Sequence, residues 1–227
     1  WSSDVCSSDL FIPLQQILYT IAIWAVPVLF AITLHEAAHG WVANKLGDPT
    51  ARQLGRITMN PIKHIDPVGT IAVPLVLVML SGFIIGWAKP VPVDMRHFKQ
   101  PLLDMALVAL AGPASNFLMA CGWALMITLS TTALAETSIA VYLFQMGKAG
   151  MTINLILMVL NLMPIPPLDG GRVVAGVLPK QVAWSYMRIE PYGMWIILAL
   201  LVSGILGKIL WPIVLRFEAI ISAIFIF

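Results

Sequence analysis

Two histidines four residues apart, with a glutamate beside the first, close a long uncharged run: Thr33-Leu34-His35-Glu36-Ala37-Ala38-His39-Gly40. On a helix, positions four apart share a face, so the His35 and His39 imidazoles point to one place and can share one ion. Glu36 falls on the adjoining face, able to reach a water at that ion without being a ligand itself. Two neutral imidazoles, a third ligand from elsewhere and a carboxylate that takes a proton from water make the layout of a zinc hydrolase. The bare pattern recurs by chance. Its setting sharpens it, because two His and a Glu in a lipid-length apolar segment are costly and rarely kept without a role. The bland alternative is polar residues packed at a helix end.

A third ligand has three candidates. His64 and His97 stand in basic loops, where a solvated imidazole is the expectation. Asp169 is stronger: it is a carboxylate at the end of an apolar run broken by Pro164, Pro166 and Pro167. Its alternative role is to cap the helix that follows.

The elements that must position these groups are membrane spans. Of the 227 residues 59% are hydrophobic and 11% charged, and the mean hydropathy is +0.91. Soluble domains carry about 25% charged residues, so the chain reads as an integral membrane protein. A formal charge of +2 gives no sign of a nucleic-acid partner. Two cysteines, Cys6 and Cys121, make neither a disulfide framework nor a zinc ribbon. Residues 1–10 nearly repeat Ser-Ser-Asp and are expected to be a non-native leader, leaving 11–227 as one membrane domain with no room for an appended soluble one.

Phe11 to Leu34 carries no charge, and about 24 residues at about 1.5 Å each span a bilayer. Pro27 predicts a kink, and Gly47 and Pro49 a stop. The loop after it is basic, with Arg52, Arg56 and Lys63, which predicts a cytoplasmic location for it and for the motif. Further apolar runs cover Val68–Trp87, Leu102–Thr132, Ile139–Met163 and Tyr192–Trp211, and Ile213–Phe227 reads as an interfacial helix or an incomplete span. Gly112-Pro113-Ala114-Ser115-Asn116 is expected to interrupt the Leu102–Thr132 span. Gly55–Met59 and the proline-spaced Lys89–Asp94 have strand-like character.

His-Glu-Ala-Ala-His, then Gly112–Asn116, then Asn161-Leu-Met-Pro-Ile-Pro-Pro-Leu-Asp-Gly-Gly171 resembles the site-2 protease family of intramembrane zinc metalloproteases, in particular its small prokaryotic members without an added domain. The resemblance covers about residues 11 to 212 with three motifs in order. It implies one zinc per chain on His35, His39 and Asp169, Glu36 as the catalytic acid and base, and Asn161 in substrate or transition-state contacts. Asn116 is implied more weakly, as packing or a substrate contact. It also implies a transmembrane protein as substrate, cut near the cytoplasmic face of the cell membrane.

The expected fold is an all-α polytopic membrane protein of about five to six membrane helices. Asp169 must reach the same membrane face as His35, since a zinc–ligand bond is about 2 Å long. That requires residues 68–101 to enter the membrane and return, as helix and then extended chain. Two readings compete: a metal-binding membrane transport protein, because broken helices also mark transporters, and a catalytically inactive binder of membrane peptides.

Overall fold

In the computed structural model, residues 4–64, 66, 69 and 89–225 are described, the side chains of 4–14 and 17 excepted. Helix α1 spans Asp4–Leu46, α2 Thr50–Gln53, α3 Pro101–Thr131, α4 Ala140–Asn161, α5 Asp169–Val177, α6 Lys180–Met187, α7 Glu190–Val202 and α8 Ile205–Phe225. Among the described residues there is no β-strand. Among the described residues, three helices are long and apolar enough to cross a membrane: Leu18–Leu46 of α1, α3 and α4. The α7–α8 pair makes a fourth if its two bent halves count as one span.

These helices pack through small residues, as helices in lipid must when no apolar solvent effect drives them together. Along α1 the buried positions Ile23, Pro27, Ala31, His35 and Ala43 recur at multiples of four, giving one stripe. The facing side of α3 buries Ala109, Gly112, Asn116, Ala120 and Ala124, and α4 buries Gly147, Gly150, Asn154 and Met158. A Cβ on Gly147 would come within 2.6 Å of Ile127. Ala120, Ala124, Ile127, Met151, Leu155, Met158 and Val214 form the apolar core where α3, α4 and α8 meet.

Three expectations change. Pro113 sits inside a continuous α3 rather than interrupting it; the carbonyl of Val108, in the turn before it, accepts from His39 Nδ1 at 2.7 Å. Pro27 lies within the single helix α1. The expected span Tyr192–Trp211 is broken, because Gly204, at φ +72°, ends α7. Its N–H bonds to Leu201 O at 2.9 Å, a left-handed glycine stop of the usual kind. Helix α8 then leaves at 83° to α7. Finally, Gly55–Met59 is turn and bend rather than strand, and 89–94 is irregular, with no strand to pair with among the described residues.

The predicted entry and return over 68–101 falls largely outside the described residues. Its flanks are seen: Lys89 N donates to His64 O at 2.9 Å. Residues 64 and 89 therefore stand side by side, at the end of the molecule where α1 finishes and α3 begins.

Candidate metal centre

Helix α1 delivers His35 and His39 on one face, and their rings meet edge to face with centroids 4.6 Å apart. Helix α5 delivers Asp169 as its first residue. The turn that brings it there is tight: a Cβ on Gly171 would come within 2.6 Å of Pro166 N, so the two glycines after Asp169 let α5 fold back against the proline segment. One donor atom from each of His35, His39 and Asp169 lies within 4.8 Å of the others. The Nε2 atoms of the two histidines are 3.1 Å apart, and Asp169 Oδ2 is 3.2 Å from His35 Nε2 and 3.3 Å from His39 Nε2.

Hydrogen bonds on the far sides of the rings fix what these atoms are. Val108 O can only accept, so His39 Nδ1 carries the proton it donates. Asn116 Nδ2 donates to Ala31 O, which orients its amide and leaves Oδ1 as the acceptor for His35 Nδ1 at 2.6 Å. In the neutral imidazoles both Nε2 lone pairs then face inward. Asp169 Oδ2 is buried without a hydrogen-bond donor. Two lone pairs and a carboxylate oxygen thus crowd one buried point with nothing positive among them. Such a cluster is costly unless a cation joins it.

The spacing fits that cation. Donors at about 2.0–2.1 Å from a tetrahedral zinc stand about 3.3 Å from one another. Gly112 leaves the room: a Cβ there would lie 2.5 Å from His35 Cε1 and 2.5 Å from His39 Nε2. Two nitrogens and one oxygen are a donor set that zinc accepts. Partners behind such ligands orient the rings and raise their basicity, and Val108 O and Asn116 Oδ1 stand in those places behind His39 and His35.

Asn154 escaped the sequence reading. It is wholly buried, accepts from Asn116 Nδ2 at 2.9 Å and donates to Gly150 O at 2.8 Å. The chain from His35 through Asn116 to Asn154 thus joins α1, α3 and α4 behind the centre. A signal for it existed: an amide seven residues before Asn161, two turns back on the same face of an apolar helix.

The remaining candidates fall elsewhere. Asn116 is fully buried with its amide committed, so it holds His35 rather than facing a substrate. Asn161 is half-buried, and its Nδ2 donates to Leu157 O at 3.0 Å. His64 is not solvated as expected; it is buried, with Nε2 3.1 Å from Thr58 O. His97 is half-exposed, with Nδ1 3.3 Å from Asp48 Oδ1. Glu36, next to His35, accepts from Val91 N at 2.9 Å.

The sequence profile of peptidase family M50 matches residues 126–204. The chain is also 38% identical over 205 residues, 89% of each chain, to a protein of Bacillus subtilis (strain 168) named "putative zinc metalloprotease YwhC". The chain belongs to peptidase family M50, the site-2 proteases. A second M50 relative, named "putative zinc metalloprotease Rip2" in Mycolicibacterium smegmatis, is 28% identical over 93% of this chain and 78% of its own length. Rip2 of Mycobacterium tuberculosis is 31% identical over 63% of this chain and 52% of its own. No solved structure matches this M50 chain.

Proposed function

We propose that this M50 chain is a zinc-dependent intramembrane endopeptidase that cuts a transmembrane or membrane-proximal peptide near the cytoplasmic face. The observation that carries the reading is the convergence of His35, His39 and Asp169 on one buried point beside Glu36. His35 and His39 present Nε2, and Asp169 presents Oδ2, to one zinc ion. When bound there, zinc supplies a Lewis acid for the peptide carbonyl and lowers the pKa of water from about 15.7 toward 7.

Glu36 Oε1, the oxygen not tied to Val91, takes the proton from the attacking water and returns it to the leaving amine. The Asn161 amide has a second N–H beyond the one given to Leu157 O, and donates it to the oxyanion as charge develops. The substrate arrives extended, since a helical carbonyl is already hydrogen-bonded. Strand addition onto 89–94 has little to work with. Pro90 and Pro92 lack an N–H, and those of Val91 and Asp94 serve Glu36 and Asp48.

The cytoplasmic orientation rests on charge. Lys45, Arg52, Arg56, Lys63, Lys89, Arg96 and Lys99 gather at the metal end, whereas the turn between α3 and α4 holds only Glu136. The test is cleavage of a transmembrane reporter by purified protein in liposomes. Chelation is expected to stop cleavage and zinc to restore it. Cleavage that survives full zinc removal would refute the reading.

A further inference from the structure

Residues 89–94, Lys-Pro-Val-Pro-Val-Asp, form a strap without regular secondary structure beside α1, with Val91 N bonded to Glu36 and Asp94 N to Asp48. Its ends are pinned independently of Glu36. At one end Lys89 N donates to His64 O at 2.9 Å, and Arg56 Nη2 donates to Lys89 O at 2.8 Å. At the other, Asp94 N donates to Asp48 Oδ2 at 2.7 Å. Asp48 is itself wholly buried and is held by the Thr50 N–H and hydroxyl and by His97. Between the pins, Pro90 and Pro92 fix their own φ and hold the residues before them extended. The Val91 side chain is buried and rests over Gly40, where a Cβ would come within 3.1 Å of Val91 Cγ1.

The one strap donor that points at the chemistry is Val91 N–H, 2.9 Å from Glu36 Oε2. We infer that Val91 is a positioning residue, whose backbone N–H sets the rotamer of Glu36. A glutamate side chain has three free torsions, and a general base works only within hydrogen-bond reach of its proton. With Oε2 fixed by a rigid strap, Oε1 is left at a defined place. A misplacement of about 1 Å at a reacting group can cost about 100-fold. The inference rests on the role proposed above for Glu36.

Val91→Pro deletes the N–H and keeps the extended backbone, since residue 91 already precedes a proline. Val91→Ala keeps the N–H and trims the side chain. Expected for Val91→Pro is a kcat about 100-fold lower, with KM within about twofold and zinc still bound at one per chain. Val91→Ala should lose no more than about fivefold. A Val91→Pro enzyme with normal kcat would overturn the inference, and so would equal losses in both variants. Should Val91→Pro fail to fold, hydrogen exchange at the Val91 amide decides, without any need for activity. Exchange should quicken at least about tenfold in Glu36→Ala and stay slow in Glu36→Gln, whose amide oxygen still accepts. Unchanged protection in Glu36→Ala overturns the strap contact even if the protein cleaves peptides. The expected exchange pattern without any cleavage would instead fault the protease reading alone.

Discussion

The metal centre and the α7–α8 pair both lie among apolar helices and behave in opposite ways. At the centre, α1 and α5 bring His35, His39 and Asp169 together, and α3 and α4 supply the groups behind the two histidines. These polar groups are tied to named atoms of other helices. In the pair, α7 buries only Gly193 and leaves Tyr192, Trp195 and Val202 exposed. Helix α8 buries Leu206, Leu210, Val214 and Ile221, a single stripe against the core. Apolar contacts in lipid specify a face, whereas hydrogen-bonded polar groups at membrane depth specify a point.

The sharpest break in that contrast is steric. Gly112→Ala places a methyl group 2.5 Å from atoms of both His35 and His39. Zinc content of the purified variant should fall below about a tenth per chain and reporter cleavage by at least about 1,000-fold, since the general base acts only on a loaded centre. Asn116→Ala comes next. It removes the acceptor behind His35 Nδ1, and zinc affinity, read by competition with a chelator, should drop about 10- to 100-fold. Asn154→Ala is one step further removed. Asn116 Nδ2 keeps Ala31 O at 3.3 Å and loses Asn154 Oδ1. Stability should fall by about 1–3 kcal/mol in a denaturant titration, with zinc affinity lowered less than in Asn116→Ala.

Acid should act on the strap before it acts on the α7–α8 pair. Burial raises the pKa of Asp48, but the Thr50 hydroxyl, the Asp94 and Thr50 N–H groups and His97 outweigh it, and the pKa ends below its ordinary 3.8. A lowered folded-state pKa means that the anchor contributes fully above the unfolded-state value and is lost as the pH falls through the folded one. Hydrogen exchange across 89–98 should stay slow down to about pH 4 and quicken below it, whereas Asp48→Asn should quicken it at neutral pH. The smallest effect belongs to the α7–α8 pair. Trp195→Ala should leave zinc content unchanged and alter cleavage less than about twofold, because a lipid-facing side chain lies outside the mechanisms that cause large losses. A loss as large as that of Asn116→Ala would erase the contrast between the two regions.

The sequence made the centre more legible than the fold. Helical spacing paired the histidines, and a carboxylate at a proline break put Asp169 ahead of His64 and His97, with the resemblance to site-2 proteases singling it out; the topological demand that both reach one membrane end follows from bond length. Asn154 escaped because its one signal, an amide two turns before Asn161 in an apolar helix, belongs to no motif. Burial at His64 depends on a loop closing over it, which spacing cannot reveal. Hydropathy ran α7 into the start of α8 because the stop is made by backbone, Gly204 at positive φ, within a mainly apolar run. Proline misled in the other direction: Pro113 does not interrupt its helix, which runs on from Pro101 to Thr131 packed among its neighbours.

X-ray absorption at the zinc edge of the purified protein tests the centre most directly. The expected shell has two imidazole nitrogens at about 2.0–2.1 Å and carboxylate and water oxygens at about 2.0–2.2 Å, and one imidazole should vanish in His39→Ala. A sulfur at about 2.3 Å, a third imidazole, or a shell unchanged in Asp169→Ala would contradict the assignment of His35, His39 and Asp169.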